Sequence, residues 1–206
     1  MTTNLSKQDR LPQIRVFVAL ELPEDLREHL GRLRSRLGPA AQAAKWVGPD
    51  LLHITVRFLG EMSEERVKSV ETATVAAASA LQPFELVLAR MGTFPHARSP
   101  RVLWVGLESD VGFATLQHLH AEVETRLDQQ GFGREQKPFS PHITLARLPD
   151  RSSAEERRAL GEAWISLAES RPFLVDAVTV MRSDLRSGCH RYTPLARVSL
   201  ERAVEA

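Results

Sequence analysis

The sequence has little of several features that would place a protein in a specialised class. Its 206 residues include one cysteine, Cys189, which excludes an intrachain disulfide and a cysteine-rich metal site and is typical of a reducing compartment. It has no run of about 18 apolar residues, which excludes an ordinary membrane-spanning helix, and its polar N-terminus lacks the apolar core of a signal peptide. We therefore expect a cytoplasmic protein that does not associate with membranes.

The sequence also has almost no excess charge, with 27 basic and 26 acidic residues and a formal net charge of +1. Such a molecule lacks the overall field that gathers long polyanions, so an anion would have to bind at a local cluster of basic groups. Its seven histidines include no pair spaced i, i+4, the spacing that lets two imidazoles on one helix face share a metal ion. We expect no metal and no cofactor.

Length and composition indicate one globular unit. The chain has 206 residues, of which 43% are hydrophobic, and this is enough to bury a core. We predict a flexible tail at residues 1–13 and a single domain over residues 14–206, and we expect a monomer.

A histidine and a threonine interrupt an otherwise apolar segment, LLHITVRFLGE, at residues 51–61. Successive side chains of an extended strand point to opposite faces, so strict alternation places His53, Thr55 and Arg57 on one face and the apolar residues on the other. A single match of this kind is also typical of an ordinary strand whose polar face meets water.

The same pattern recurs later in the chain, and its surroundings recur with it. PHITLARL at residues 141–148 repeats the His-Ile-Thr-apolar order, with His142 standing 89 residues after His53. A Pro-Phe pair follows in each half, and its phenylalanine, Phe84 or Phe173, lies 31 residues beyond the histidine. A helix-like segment that opens with serine and glutamates, as a capped helix does, separates motif and Pro-Phe pair in both halves. The chain is therefore predicted to contain a duplicated unit.

Helices alternate with strands in both halves, which favours an α+β fold. Besides the two motif strands, the pattern predicts strands at residues 14–20, 84–91, 102–107, 173–181 and 192–200, and helices at residues 23–37, 63–81, 112–130 and 153–170. Two copies of a strand-helix-strand unit commonly pack about a pseudo-twofold axis. That arrangement would bring the two motif histidines to face each other.

Two facing imidazoles can act as an acid and a base, because their unperturbed pKa of roughly 6.5 is close to working pH. The threonine two residues after each histidine offers a hydroxyl donor to an anion. This combination suits displacement at phosphorus, where attacking and leaving oxygens lie on opposite sides and the non-bridging oxygens need donors. The candidate residues are His53, Thr55, His142 and Thr144.

These residues and their flanks resemble the 2H phosphoesterase superfamily, and most of all its bacterial and archaeal RNA 2',3'-cyclic phosphodiesterases, historically called 2'-5' RNA ligases. The likeness covers both His-x-Thr-x motifs, RVFVALELP near the start, GTFP and RVLWVGL between the motifs, and MRSDLRSGCHRYTPL near the end. It implies two pseudo-twofold-related lobes, each with an antiparallel sheet and flanking helices, and an active-site cleft between the sheets. It also implies metal-independent hydrolysis of a terminal 2',3'-cyclic phosphate to a 2'-phosphate, with His53 as proton donor and His142 as proton acceptor.

The resemblance adds Phe17 and Arg147 to the predicted substrate site, and strand alternation adds Arg57. The resemblance places an aromatic side chain, here Phe17, in the cleft, where a nucleobase could stack on it. Arg57 shares the face of His53 by alternation and could reach phosphate oxygens. Alternation places Arg147 opposite His142, whereas the family pattern places this arginine in the active site, which a β-bulge would allow. Trp46 and Tyr192 could edge the cleft, and Ser183 and Asp184 match a family loop whose role is open.

Two alternatives stay open at the level of sequence. Ligation of RNA ends could be the physiological direction, because hydrolysis and ligation share one transition state. The chain could also be a non-catalytic module that binds nucleotides or oligonucleotides, although intact histidines and threonines in both copies argue against it. For the enzyme, the expected partners are RNA ends or short oligonucleotides with a 2',3'-cyclic phosphate.

Overall fold

The computed structural model of the protein describes residues 13–186 and 189–200. The strands are β1 (Gln13–Glu21), β2 (Lys45–Trp46), β3 (His53–Ser63), β4 (Phe84–Phe94), β5 (Val102–Leu107), β6 (Ile143–Arg147), β7 (Pro172–Val175), β8 (Ala177–Arg186) and β9 (Cys189–Ser199). The helices are α1 (Glu24–Arg32), α2 (Glu64–Ala78), α3 (Val111–Gln129) and α4 (Ala154–Ile165). Helices combined with antiparallel strands confirm the α+β class. The predicted N-terminal tail lies outside the described residues, except for Gln13, which begins β1.

Helices α3 and α4 begin at side chains that cap them. The carboxylate of Asp110 accepts a hydrogen bond from the backbone N–H of Phe113 at the start of α3. At the start of α4, the hydroxyl of Ser153 accepts from the N–H of Glu156, and the Glu156 carboxylate accepts in return from the N–H of Ser153. Reciprocal caps of this kind satisfy donors that the first helical turn leaves unpaired.

The chain departs from the predicted elements at three places. The first helix ends at Arg32 and continues as 3-10 turns over Leu33–Ala43, interrupted where Gly38 adopts a φ of +54°. The predicted connection that follows contains the short strand β2, which pairs with β6. The predicted strand 173–181 is divided at Asp176 because its two parts have different partners, β4 for β7 and β1 for β8.

The strands form one path in the order β7-β4-β5-β6-β3-β1-β8-β9, with β2 beside β6. Every pairing between the named strands is antiparallel. The motif strands β3 and β6 pair with each other through Ile54 and Ile143 and so join the strands of the two halves in one path, which leaves the predicted division into two lobes unconfirmed. The cleft accordingly opens on a single curled sheet.

Pairing also relates the two halves of the chain to each other. Ile54 pairs with Ile143, and Glu85 pairs with Leu174, and in both pairs the partners are 89 residues apart. Residues that correspond by a repeat can lie opposite each other in this way only if a twofold relation maps one copy onto the other. Strands that follow the helix of each repeat also pair with a strand of the other half, since β4 pairs with β5 and β8 pairs with β1.

Helices and cleft are segregated on this sheet. Helix α2 packs on β1, β3, β8 and β9, and α3 and α4 pack on β4. The main core lies on this helical side and contains the apolar residues of both motif strands, including Ile54 and Ile143. A smaller apolar cluster of Phe17, Ala19 and Met181 is capped by Tyr192. In the part of the chain that the structure describes, no helix is long and apolar enough to cross a membrane.

Candidate active site

A cleft of about 570 Å³ contains all four residues of the duplicated motif. His53 and Thr55 reach it from β3, and Thr144 reaches it from β6, with His142 immediately before that strand. A volume of this size is ordinary for a small-molecule site. The structure therefore brings together on one surface the side chains that the sequence repeat relates.

The two imidazoles are held in the same way. Nδ1 of His53 donates to the carbonyl oxygen of Leu51 at 2.8 Å, and Nδ1 of His142 donates to that of Ser140 at 2.7 Å. Because a carbonyl oxygen can only accept, Nδ1 carries the proton in both rings, and Nε2 of the neutral ring has a free lone pair. The hydroxyl of Thr55 lies 3.1 Å from Nε2 of His53 and can donate to it.

Aromatic rings flank each imidazole. The ring centroid of His53 lies 5.0 Å from that of Phe17 and 5.2 Å from that of Tyr192. The ring centroid of His142 lies 5.1 Å from that of Phe94 and 6.0 Å from that of Trp104. Together with the carbonyl acceptors, these contacts fix the planes of the imidazoles before a ligand binds.

The surroundings favour the neutral form of both histidines. Burial lowers the pKa of His53, the hydrogen bond to the Leu51 carbonyl opposes this, and the charges of His142 and Arg147 lower the pKa further. Burial also lowers the pKa of His142, against the hydrogen bond to Ser140, and the charge of Arg147 adds to the lowering. The charge of Arg147 therefore acts on both imidazoles in the same direction as burial.

Each motif strand contains a β-bulge just after its threonine. Strand β3 has an extra residue at Val56 relative to its neighbour β1, and β6 has one at Leu145 relative to β5. Val56 and Leu145 are 89 residues apart, so the repeat includes the bulge. Beyond an extra residue the alternation of side chains is reversed, and strict parity counted from the histidine fails.

The bulge turns Arg57 away from the cleft. Its side chain is buried on the helical side of β3, where Nε lies 2.6 Å from Oε1 of Glu124. Nη1 donates to Glu135 at 2.9 Å, and Nη2 donates to the carbonyl of Gly133 at 3.1 Å. The prediction that Arg57 shares the face of His53 is therefore wrong.

The corresponding bulge turns Arg147 into the cleft, as the family pattern rather than strict alternation predicted. The residue that matches Arg147 in the first repeat is Phe58, which also lines the cleft and is 50% exposed. Sequence reasoning missed Phe58, although the 89-residue offset would have found it once a bulge was accepted at Arg147.

Phe17 reaches the cleft, but its ring is not available as a platform. Only 3% of the residue is exposed, because the ring packs against His53 and against Tyr192, whose centroid is 5.0 Å away. The structure therefore gives Phe17 a role in holding the imidazole, and a nucleobase could stack on it only after the ring had moved.

The rest of the cleft wall is basic and aromatic. Arg15, Lys45, Trp46 and Tyr192 line it, so the two aromatic residues that the sequence left at the edge are part of it. Ser183 lines it too, whereas the Asp184 carboxylate accepts a hydrogen bond from Arg182 at 3.0 Å.

This wall favours an anionic ligand. Among the described residues that line the cleft there is no aspartate or glutamate. Within residues 13–186 and 189–200, no three histidine, cysteine, aspartate or glutamate side chains are grouped as metal ligands. A bound ligand therefore meets positive charge from the basic side chains and from any protonated imidazole, and no carboxylate of the described cleft lining opposes it.

Comparison with known proteins identifies the family of this chain. The family model described as 2'-5' RNA ligase superfamily matches residues 22–186. An RNA 2',3'-cyclic phosphodiesterase of Escherichia coli is 32% identical over 188 residues, which are 90% of this chain and 96% of that protein. A protein of the same name from Methanothermobacter thermautotrophicus is 29% identical over 184 residues, which are 89% and 97% of the two chains.

Solved structures agree. The crystal structure of E. coli LigT complexed with 3'-AMP has a TM-score of 0.73 and 28% identity, and the match covers 93% of this chain and all of that one. A crystal structure described as a phosphoesterase has a TM-score of 0.74 and 29% identity over the same shares of the two chains. The match covers most of the sequence, and the doubled motif that suggested the 2H phosphoesterases lies on one cleft, so this chain belongs to the 2'-5' RNA ligase superfamily.

Proposed function

We propose that the protein is an RNA 2',3'-cyclic phosphodiesterase, which opens a terminal 2',3'-cyclic phosphate and leaves a 2'-phosphate. One observation carries the proposal: two imidazoles that hold their proton on Nδ1 and two threonine hydroxyls line a single cleft that has basic walls. The names of the E. coli and M. thermautotrophicus relatives support the same activity.

The cleft suits the charge of the substrate. A cyclic phosphodiester is a monoanion whose two non-bridging oxygens need hydrogen-bond donors, and more so as charge develops on them. The hydroxyls of Thr55 and Thr144 supply one donor from each motif. Arg147 adds a guanidinium that can donate to the same oxygens and neutralise their charge.

The two imidazoles then divide the proton transfers. Nε2 of His142 accepts a proton from a water molecule as its oxygen attacks phosphorus in line with the 3' oxygen. The bond between phosphorus and the 3' oxygen breaks, and that oxygen takes the proton from Nε2 of His53. One water is consumed, the 2'-phosphate ester remains, and proton exchange with solvent restores both histidines.

Substrate binding prepares the acid for this step. The pKa of His53 is lowered in the free protein, chiefly by burial, so the free ring tends to be neutral. A bound phosphate monoanion favours the charged imidazolium and raises that pKa. Protonation of His53 is therefore coupled to the arrival of the substrate, and the Nδ1 bond to the Leu51 carbonyl stabilises the charged ring.

The test is hydrolysis of a short RNA that ends in a 2',3'-cyclic phosphate, with EDTA present and the product compared with 2'- and 3'-phosphate standards. We expect a 2'-phosphate. His53→Ala and His142→Ala should each lower kcat by about 10² to 10⁴ because each removes a general acid or base. His118→Ala is the control, since that histidine is exposed on α3.

Other outcomes would count against the proposal. Near-normal turnover by either variant would remove that histidine from the chemistry. Joining of the cyclic end to a 5'-hydroxyl RNA at a rate above hydrolysis would make ligation the main activity. Retention of unchanged RNA by the wild-type protein would indicate a binding module.

A further inference from the structure

One end of the cleft continues beyond the motif residues along β1, β3 and β8. Phe58, Arg15 and Ser183 line this end. The strand registers order them: Ala19 lies opposite Thr55, Phe17 lies opposite Phe58, and the next step along β1 toward its start that faces the cleft is Arg15. Ser183 pairs with Arg15 across β1 and β8. From His53 toward this end, the residues of the wall are therefore Thr55, then Phe58, then Arg15 beside Ser183.

Phe58 is unusual among the aromatic residues of the cleft because it is exposed. Half of its surface is accessible, whereas Phe17, its partner across the strands, is 3% accessible. An exposed ring in a cleft wall has a free face, and a free aromatic face is what an unpaired nucleobase stacks on.

Arg15 is held only loosely. Its guanidinium lies 3.5 Å from a carboxylate oxygen of Glu61, and both side chains are about half exposed or more, at 45% and 65%. Surface pairs of this kind contribute little, so a phosphate can replace the carboxylate at small cost. The hydroxyl of Ser183 offers a further donor at the same level of the cleft.

We propose that this end of the cleft is a subsite for the second nucleotide of the substrate, the one on the 5' side of the cyclic phosphate. Phe58 stacks on its base, and Arg15 with Ser183 binds the phosphate that links it to the terminal nucleotide. The inference rests on the proposed function, because the 3' oxygen that His53 protonates belongs to the terminal ribose. That ribose, and the RNA attached to it, must then lie on the His53 side of the phosphorus.

The proposal makes the substrate an oligonucleotide end rather than a mononucleotide. It is tested by measuring kcat/KM for adenosine 2',3'-cyclic phosphate and for the ApA dinucleotide with the same cyclic end. The readout is the ratio of kcat/KM for the dinucleotide to kcat/KM for the mononucleotide. The wild-type ratio should be well above one, and Phe58→Ala should lower it about 5- to 150-fold, the range for loss of one base-aromatic stack. Arg15→Gln should also lower it.

Two controls accompany these variants. Phe58→Tyr keeps a stacking ring and should keep the ratio. Arg101→Gln removes another exposed arginine from a surface ion pair, with Asp150, away from the cleft, and should leave the ratio unchanged.

Three results would overturn the subsite. The first is a wild-type ratio near one, and the second is an equal loss on both substrates in Phe58→Ala. The third is a ratio that falls in Lys45→Gln but not in Arg15→Gln, which would place the second nucleotide at the opposite end of the cleft. Hydrolysis of the mononucleotide in any of these cases leaves the proposed function standing, whereas inactivity on both substrates overturns both proposals.

Discussion

At the scale of single residues, the main-chain carbonyls of Leu51 and Ser140 decide what the imidazoles can do. Each carbonyl fixes the proton on Nδ1 of its histidine, which leaves Nε2 as the atom that exchanges protons with a substrate. Each acceptor is two residues before its histidine, so the geometry is built into the motif itself and requires no distant partner. The aromatic rings on either side then limit rotation of the imidazoles.

The pH dependence of the reaction follows from this environment. The pKa values of His53 and His142 are both lowered, first of all by burial. The base must be neutral and the acid protonated, and kcat/KM reports the free enzyme. Both limbs of the kcat/KM profile should therefore lie below those of unperturbed histidines, with the optimum on the acid side of about pH 6.5. The profile of kcat should lie at higher pH, because a bound anion raises both pKa values.

A substitution at Arg147 tests whether its charge helps to lower the pKa values of His53 and His142. Its positive charge lowers the pKa of both histidines, so Arg147→Gln should move the kcat/KM profile to higher pH. The same substitution removes a charged donor and should reduce kcat/KM by roughly 10- to 150-fold, which corresponds to about 1.5–3 kcal/mol. Arg147→Lys keeps the charge and should keep the position of the profile. A profile that does not move in Arg147→Gln would show that the guanidinium is too distant to act on the imidazoles.

At the scale of elements, the bulge in β3 gives Arg57 a structural task. Its side chain joins the strand that carries His53 and Thr55 to Glu124 of α3 and to the segment around Glu135. Arg57 and Glu124 are each only 8% exposed at the side chain, so neither charge is well solvated without the other. The ion pair connects the first motif to the segment that precedes His142 in the chain.

Loss of this pair should be costly. Removal of one partner of a buried pair leaves an uncompensated charge, so Arg57→Ala should lower the free energy of unfolding by about 3–5 kcal/mol. Arg134→Ala is the matched control, since Arg134 makes an exposed ion pair with Asp128 in the same part of the chain and its loss should cost at most about 1 kcal/mol. Urea unfolding of the two variants and the wild type measures the difference. Equal stability of the two variants would mean that water reaches the Arg57 site.

These elements show where sequence reasoning succeeds and where it fails. Alternation and the 89-residue offset were enough to predict the two motif strands, their helices and the side chains before each bulge. They were insufficient for Arg57, because which face a side chain takes after a bulge depends on how the strand pairs with its neighbour, here β1. The sequence of β3 alone does not specify that pairing register. The two-residue strand β2 was missed for a related reason, since only its pairing with β6 makes it a strand.

At the scale of the whole molecule, the twofold relation places one imidazole on each side of the junction between the halves. Ile54 and Ile143 pair at that junction, and the histidine that precedes each of them lines the same cleft. A duplicated unit thus produces two chemically similar groups, and only the surroundings make them different. Phe58 in one half and Arg147 in the other occupy corresponding positions with different chemistry. This asymmetry is what could orient an RNA end in an otherwise symmetric site.

The distribution of charge over the whole molecule sets how binding depends on RNA length and salt. The formal net charge is +1, and the cleft draws its positive charge from Arg15, Lys45 and Arg147. Only two or three phosphates can then be neutralised, so the logarithm of the association constant should fall against the logarithm of salt concentration with a slope of roughly −1.4 to −2.1. Binding should also stop strengthening once the RNA is a few nucleotides long.

The His142→Ala variant, which we expect to turn over substrate very slowly, allows this to be measured with cyclic-phosphate RNAs of about 3 and 20 nucleotides. Their affinities should agree at each salt concentration, because a nearly neutral surface adds only a weak field for the longer RNA. Arg15→Gln on this background should make the slope shallower by about 0.7, because one phosphate contact is lost. A slope that steepens with RNA length would reveal a second basic surface outside the cleft. The protein would then be selecting long RNA, and the local cluster would not be the main source of its affinity.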